Sequence, residues 1–251
     1  MWIDVNASHG HWPFDRLPRR TLPELEAHLV SEGIERALVS PIEPLFLADP
    51  DPSNRELLAG CRACPHLVPV PVLHLGMPDW RENLEAYQQQ TDLKAVKLYP
   101  NFHHYPLSSR ACRDLVRILR DTGTRLIVNI RMFDERNGYT GLKIPGVKVK
   151  HLAGFAERHA DFPFLCTGLY RPEILELADR CVDFRTDLSF ADWHDLINQL
   201  LTRLRPEQLL FGSHTPLFVT RAATLKLELA PIPEAIRAQI GRENARTFFR
   251  L

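Results

Sequence analysis

Residues 94–123 read KAVKLYPNFHHYPLSSRACRDLVRILRDTG and contain one complete strand-then-helix unit. The short apolar run Lys94–Tyr99 predicts a strand, because nearly continuous apolar runs are typical of strands covered on both faces. Ser108–Asp121 predicts a helix, since serines stand at its start and apolar residues then recur at helical spacing. Gly123 follows as a helix-ending residue.

The same alternation runs through all 251 residues. Strands are predicted at Trp2–Asn6, Arg36–Pro41, Leu67–Leu73, Lys94–Tyr99, Arg125–Arg131, Phe164–Leu169, Val182–Ser189 and Gln208–Ser213. Helices are predicted at Leu22–Ser31, Ser53–Cys64, Asp79–Gln90, Ser108–Asp121, Val147–His159, Pro172–Asp179, Trp193–Leu204, Phe218–Leu229 and Pro233–Phe249. Eight units of about 31 residues each fit a (β/α)₈ TIM barrel. A doubly wound open sheet shares the alternation, but no glycine-rich nucleotide-binding motif follows a predicted strand. We therefore predict an α/β protein with a single barrel domain, residues 1–251, and an extra C-terminal helix.

The composition excludes several classes of function. The 31 Lys and Arg residues balance 31 Asp and Glu residues, so no general electrostatic attraction to nucleic acid or to an anionic membrane is expected. No run approaches the ~20 apolar residues of a membrane-spanning helix, and the N-terminal residues do not resemble a secretory signal. Five cysteines at irregular spacing predict reduced thiols and a cytoplasmic protein.

Polar residues cluster at the carboxyl ends of the predicted strands, which is where barrels of this kind carry their functional groups. Residues two apart on a strand share a face, so these side chains are expected to converge at one mouth. They are Asp4, Asn6, Ser8, Lys97, Tyr99, Asn129, Arg131, Thr167, Asp187, Ser189, Ser213 and His214.

Four segments carry a family resemblance. They are IDVNASHGHWPF at 3–14, KAVKLYPNFHHYPLS at 94–108, QLLFGSHTPLF at 208–218 and IGRENARTFFRL at 240–251. Together they resemble the amidohydrolase superfamily, in the amidohydrolase-2 branch that includes the aminocarboxymuconate-semialdehyde decarboxylase type. The first is similar to the D-x-H-x-H-x-G opening of that branch and the third to its F-G-S-D-x-P segment. Because the segments span the chain, the resemblance implies the barrel fold throughout.

The resemblance also implies a divalent metal, held by two histidines of the first strand, one each of the fifth and sixth, and an aspartate after the eighth. The matching positions are Asn6, Ser8, Asn129, Thr167 and His214. Zinc sites need several nitrogen, carboxylate or thiolate donors, and neutral amides and hydroxyls are poor substitutes. We therefore predict no metal and no cofactor. The eleven histidines leave one alternative open, a displaced metal site built from His9, His11, His103, His104 and His214.

The remaining groups at the mouth predict a small anionic ligand, carboxylated or cyclic. Lys97 and Arg131 are cationic and are expected to hold the anion, with Arg171 and Arg185 adding to them. An internal ion pair of Lys97 with Asp4 or Asp187 is the competing interpretation. Further substrate-binding residues are predicted at Asn6, Asn129, Tyr99 and His11, with an apolar pocket wall formed by Tyr99, Tyr105, Trp12 and Phe14.

For catalysis without metal, His214 is predicted as the acid/base, since it is the strand-end residue that titrates near neutrality. Asp187 or Asp4 is predicted to orient it, with Asp187 as the assigned catalytic partner, and Lys97 or Arg131 is predicted to stabilise an oxyanion.

Three interpretations follow. The first is a metal-independent hydrolase or lyase. The second is a catalytically degenerate relative that binds a metabolite or a partner protein. The third is a metal-dependent hydrolase with relocated histidines. The sequence leaves open whether the chain is an enzyme. Short loops predict an open mouth or one closed by a neighbouring subunit, and a homodimer is compatible with the latter.

Overall fold

The computed structural model describes residues 1–137 and 143–251, and within these the chain forms eight parallel strands with helices between them. The strands are Trp2–His9 (β1), Ile34–Pro41 (β2), Leu67–Pro69 (β3), Ala95–Leu98 (β4), Arg125–Asn129 (β5), Phe164–Thr167 (β6), Arg185–Asp187 (β7) and Leu209–Leu210 (β8). The helices are Leu22–Ser31 (α1), Asp51–Gly60 (α2), Trp80–Gln90 (α3), Arg110–Thr122 (α4), Val149–Arg158 (α5), Arg171–Arg180 (α6), Leu196–Leu201 (α7), Thr220–Glu228 (α8), Glu234–Ala238 (α9) and Asn244–Phe249 (α10). None of the described helices is long and apolar enough to cross a membrane.

The strands close into a barrel. Hydrogen-bonded ladders join neighbouring strands in chain order, from β1 through β3 and from β4 through β8. This leaves one gap between β3 and β4 and another between β8 and β1. The first gap is bridged where the Lys97 amide donates to the Pro71 carbonyl at 2.9 Å and the Leu73 amide to the Lys97 carbonyl at 3.0 Å. The second is bridged where the Val5 amide donates to the Phe211 carbonyl at 3.0 Å. The (β/α)₈ prediction is therefore confirmed, and the open-sheet alternative is wrong.

Alternation along the strands divides each one between the barrel interior and the helices. On β4, Ala95 packs in the interior and Val96 packs against the helices, and on β5 Ile127 and Val128 do the same. The interior bottom layer consists of Ile3, Val5, Leu38, Val70, Ala95, Ile127, Leu165 and Leu210. The next interior positions towards the carboxyl ends are polar, so the apolar bottom layer supports the candidate site.

The C-terminal helical segment closes the bottom of the barrel. Phe248 and Phe249 of α10 pack against the bottom layer. The single helix predicted over Pro233–Phe249 is interrupted by a π-helical turn at Gln239–Glu243, which is a correction. At this turn the Ile240 carbonyl accepts from the Phe211 amide at 3.1 Å, and a side chain at Gly241 would overlap the Trp2 ring. The turn therefore accommodates a close approach to β1 and β8.

The opposite end is covered by an apolar cap built from the chain's own loops. Its buried members are Trp12, Ile42, Leu45, Val72, Tyr99, Phe102 and Met132. Trp12 and Phe46 contact edge to face, with ring centroids 5.4 Å apart. The cap therefore covers part of the mouth, and a cavity of about 400 Å³ lined by Ser189, Ser213 and Phe218 lies beside it. An open mouth, or one closed by a neighbouring subunit, stays a prediction.

Candidate functional site

Asn6 is the centre of a buried polar layer, which we define as Asn6, Lys97, Asn129, Thr167, Asp187 and His214. Lys97 Nζ donates to Asn6 Oδ1 at 2.8 Å, and Asn6 Nδ2 donates to Asp187 Oδ2 at 3.0 Å. All three side chains are at most 1% exposed. The amide of Asn6 therefore stands between the ammonium and the carboxylate. The predicted ion pair of Lys97 with Asp4 or Asp187 is replaced by this amide-bridged contact.

The two ionisable groups that Asn6 bridges, Lys97 and Asp187, both have shifted pKa values. Burial lowers the pKa of Lys97 to about 8, although the nearby carboxylates of Asp187 and Asp4 act in the opposite direction. Burial raises the pKa of Asp187, against the hydrogen bonds from Ser189 and Asn6 and the charge of Lys97. Both shifts favour the neutral forms, because each ionised group has lost its water.

Gly212, which sequence reasoning did not select, makes room for Asp187. It follows β8, and a Cβ atom there would overlap the Asp187 carboxylate and its Cβ. Ser189 Oγ donates to Asp187 Oδ2, and the Gly168 amide donates to Oδ1 at 3.2 Å. The signal was present in the F-G-S triplet at 211–213, where a glycine at an interior strand position indicates close packing.

Both ring nitrogens of His214 are engaged. Nε2 lies 2.9 Å from the Met132 carbonyl, which can only accept, so Nε2 carries the proton. Nδ1 is then the acceptor facing Asn6 Nδ2 at 3.4 Å. Burial lowers the pKa of His214 to about 4, and the charge of Lys97 acts in the same direction. The ring is neutral and orients Asn6, so its predicted acid/base role requires Asn6 to move.

Four buried hydroxyl or amide donors of the interior have no partner among the described residues. They are the Ser8 hydroxyl, the Tyr99 hydroxyl, Asn129 Nδ2 and the Thr167 hydroxyl, and each residue is at most 1% exposed. Asn129 Oδ1 accepts from the Arg131 amide at 2.9 Å, which fixes Nδ2 as the free end of that amide. Asn129 and Thr167 are direct partners in the β5–β6 ladder, and Lys97 Nζ lies 5.5 Å from the Tyr99 ring centroid. Three of the four donors therefore lie at the ends of the consecutive strands β4, β5 and β6.

The donor set does not fit a divalent metal. At the five positions matched to the family's ligands, Asn6 Oδ1 faces an ammonium, Asn129 Oδ1 is held by a backbone amide, and both His214 nitrogens are engaged. Ser8 and Thr167 contribute hydroxyl groups, which are weak metal ligands. The Lys97 charge would also repel a cation at Asn6.

The histidines proposed for a displaced site are not brought together. His103 Nε2 donates to the Pro44 carbonyl at 2.9 Å, because a carbonyl oxygen can only accept. Its ring stacks on His74, with ring centroids 4.1 Å apart. His11 and His104 are exposed, whereas His9 and His214 are buried. Within residues 1–137 and 143–251, no group of three or more His, Cys, Asp or Glu side chains is arranged to hold a metal ion.

The arginines have other partners. Arg131 donates to both Glu173 oxygens at 2.7 and 2.9 Å and to Glu135 at 3.0 Å, and its guanidinium lies 3.9 Å from the Tyr170 ring centroid. Two carboxylates thus already neutralise the group that was expected to hold a substrate anion.

Three other expected residues lie outside the polar layer. Arg185 is at the opposite end of the barrel, over the Phe248 ring at 4.8 Å, so its assignment to the mouth was wrong. His11 lies on an outer cavity of about 670 Å³, with its amide bonded to Glu43. Arg171 lies over the Trp193 ring at 4.9 Å.

A cleft of about 280 Å³ adjoins the cap, and its lining is mainly apolar, with Trp12, Phe14, Phe133 and Phe218 as its aromatic members. Met132 belongs to the cleft lining and to the cap, and its carbonyl bonds His214. Phe218 of the cleft lining also contacts the His214 ring, with centroids 5.0 Å apart, so the cleft adjoins the polar layer at His214.

Comparison with known proteins agrees with this architecture. The family model described as amidohydrolase matches residues 10–251. The chain belongs to the amidohydrolase family. No curated protein matches it.

Solved structures share the fold of this amidohydrolase at low identity. They include 5-carboxyvanillate decarboxylase from Sphingomonas paucimobilis, with 15% identity, a TM-score of 0.76, and coverage of 100% of this chain and 99% of that one. The 2,6-dihydroxybenzoate decarboxylase from Rhizobium has 15% identity and a TM-score of 0.73, with coverage of 100% of this chain and 99% of that one. A probable 2-pyrone-4,6-dicarboxylic acid hydrolase from Acinetobacter baumannii, with citric acid bound, has 12% identity and a TM-score of 0.71, with coverage of 100% of this chain and 99% of that one.

Proposed function

We propose that this amidohydrolase-family protein binds a small carboxylated molecule in its polar layer and converts it, as a hydrolase or lyase, without a metal ion. The observation that carries the proposal is the set of unpartnered buried donors at the ends of the Lys97 strand and the next two strands: the Tyr99 hydroxyl, Asn129 Nδ2 and the Thr167 hydroxyl. A buried donor without an acceptor costs about 1–3 kcal/mol, and a carboxylate supplies acceptors in a plane. The solved structures of similar fold are named for carboxylated aromatic compounds and for a dicarboxylic acid, which supports the same ligand class.

The proposed roles follow from charge and protonation. Lys97, Asn129 and Tyr99 hold the carboxylate, so the lysine supplies the positive charge that the family's metal would supply. Asp187 Oδ2 and His214 Nδ1 both face Asn6 Nδ2, and these two residues are the proposed proton-transfer groups. Perturbed acidity in a buried cluster at strand ends is typical of a functional site. Arg131 has no part in this assignment, because its charge is already paired.

Calorimetric titration with 2,6-dihydroxybenzoate and with citrate tests the binding step, with and without a chelator. We expect the wild type to bind at least one of them equally well in both buffers. Lys97→Ala should weaken binding at least about tenfold, since a charge-assisted hydrogen bond is lost. Lys94→Ala is the matched control, because Lys94 precedes the same strand and pairs with Asp92 near the surface. Binding that needs metal, or equal losses in both variants, would contradict the proposal.

Binding without turnover is the second candidate, and the engaged nitrogens of His214 favour it. The two candidates separate when each bound carboxylate is followed by mass spectrometry for loss of CO₂ or addition of water. Product formation that Asp187→Asn abolishes supports the enzyme. Retained binding with no product from any bound acid supports the second candidate.

A further inference from the structure

We propose that Lys97 is a Schiff-base-forming lysine and that the carboxylates taken by this site are 2-oxo acids. The proposal rests on the proposed function, because the same donors must hold the carboxylate. It adds a covalent step at Lys97 Nζ and narrows the substrate class to acids with a carbonyl next to the carboxyl group.

The first support is the lack of a counter-ion in contact with a buried amine. Lys97 is 1% exposed, and its bonded acceptor is the neutral amide oxygen of Asn6. Among the described residues no carboxylate forms an ion pair with it, because Asn6 separates it from Asp187. A buried ammonium without such a partner is costly, so a larger fraction of Lys97 is the neutral, nucleophilic amine than for a solvated lysine, while the ammonium that attracts a carboxylate is still the major form at pH 7. The lowered pKa, about 8, agrees with this geometry.

The second support is the placement of the unpartnered donors relative to Nζ. Tyr99 follows Lys97 by two residues on the same interior face of the barrel, and the ring centroid is 5.5 Å from Nζ. Asn129 and Thr167 occupy interior positions on the next two strands. In a 2-oxo acid the carboxylate and the carbonyl carbon are directly bonded. A carboxylate held by these donors therefore brings an electrophilic carbon towards the amine, and a desolvated lysine amine is the nucleophile for carbonyl carbon.

The step balances without an oxidant or reductant. The lone pair of Nζ forms a bond to the carbonyl carbon, the C–O π bond breaks, and the oxygen gains a proton while the nitrogen loses one. The C–O bond then breaks as the hydroxyl takes the remaining proton of Nζ and leaves as water. The products are a neutral imine and water. The Tyr99 ring centroid lies 5.5 Å from Nζ, and its unpartnered hydroxyl is the proposed proton carrier. Once protonated, the imine accepts the electron pair of an adjacent breaking bond, which favours the lyase over the hydrolase.

Borohydride trapping tests this. The wild type is incubated separately with pyruvate, 2-oxoglutarate and phenylpyruvate, reduced, digested and mapped by mass spectrometry. With pyruvate, the expected peptide carries Lys97 with the added mass of pyruvic acid less one oxygen. Labelling should be faster at about pH 9 than at about pH 7, as the neutral amine increases. The surface residue Lys94 in the same digest is the internal control. No label at Lys97 with any of the three acids, or labelling no faster than at Lys94, overturns the proposal.

A second measurement distinguishes failure of Schiff-base formation from failure of carboxylate binding, which is the proposed function. Lactate has the carboxylate of pyruvate without its carbonyl, and Lys97→Arg keeps the charge without the amine nucleophile. Calorimetric binding of lactate or 2,6-dihydroxybenzoate that depends on Lys97, together with no adduct, would overturn only the Schiff base. No carboxylate binding at all would overturn both. An adduct at Lys97 in the wild type that is absent in Lys97→Arg supports both.

Discussion

At the scale of single residues, Lys97 makes the stability of the protein depend on pH. Its folded-state pKa of about 8 lies below the usual value of 10.5, so between these values the unfolded chain binds more protons than the folded one. Stability therefore rises with pH through this window, by about 3 kcal/mol for the complete shift. The penalty is fully present below about pH 8.

Urea unfolding of the wild type and of Lys97→Met measures this effect. The difference in free energy of unfolding, wild type minus variant, should rise between about pH 7 and about pH 10. The variant also leaves Asn6 Oδ1 without its donor, but that cost is constant over this range and does not affect the slope. A difference that is flat with pH would mean that the amine is not desolvated as described.

Gly212 makes a second prediction at this scale. An alanine there would overlap the Asp187 carboxylate and displace it from Asn6, so Gly212→Ala should lose about 1–3 kcal/mol of stability and weaken carboxylate binding. Gly154→Ala is the matched control, because Gly154 lies within α5 and a Cβ there meets only the flexible end of Arg158 at ordinary distance. That variant should gain about 0.5–1 kcal/mol from helix propensity. Similar thermal shifts in the two variants would contradict this account.

The sequence predicts which residues of the site meet, but not how they are bonded. Strand ends and two-residue periodicity are enough to bring Asn6, Lys97, Asp187 and His214 to one mouth. The amide bridge depends on side-chain rotamers, and the proton position on His214 depends on a carbonyl in the loop after β5. Neither has a local sequence signal, because the partners are between 82 and 208 residues apart in the chain.

At the scale of elements, the strand and helix periodicity locates all eight strand-then-helix units, and the differences lie at their ends. The last predicted helix is the exception, because the turn at Gln239–Glu243 responds to Trp2 and Phe211 from the other end of the chain. Of the cap residues, Trp12 and Tyr99 were predicted as part of an apolar pocket wall, whereas Phe102 was not, since loop residues carry no periodicity.

Arg131 and Glu173 connect the end of β5 to the start of α6, and we expect this pair to contribute to stability. The side chains are 4% and 24% exposed, so the interaction is only weakly screened. A double-mutant cycle with Arg131→Met and Glu173→Gln should give a coupling of about 1–3 kcal/mol. The exposed pair Arg180–Glu176, whose side chains are about half exposed, is the control and should give about 0.5 kcal/mol or less.

This cycle also decides between the two roles considered for Arg131. If Arg131→Met retains stability and loses carboxylate binding, the residue holds the substrate anion after all. If it loses stability and the folded fraction still binds, the pairing with Glu173 is its role, which is the outcome we expect.

At the scale of the whole molecule, the barrel separates its two ends. The bottom layer, closed by α10, is apolar, whereas the polar layer and the apolar cap occupy the carboxyl ends of the strands. This division was implied by the eightfold alternation alone, because a barrel interior must be filled by packed side chains. It places the perturbed titratable groups of the polar layer at one end and Phe248 and Phe249 of α10 at the other.

Phe249 tests this separation. It is 1% exposed and packs with Ile3, Ile127 and Leu210 at the bottom of the barrel, so Phe249→Ala should cost about 3–5 kcal/mol in the free energy of unfolding. Val182→Ala, at a side chain that is 78% exposed, is the control and should change stability by about 0.5 kcal/mol or less. Because Phe249 has no contact with the polar layer, the folded fraction of Phe249→Ala should bind carboxylates with the wild-type affinity. Weakened binding by folded Phe249→Ala, measured well below its unfolding midpoint, would show that the two ends are coupled through the bottom layer.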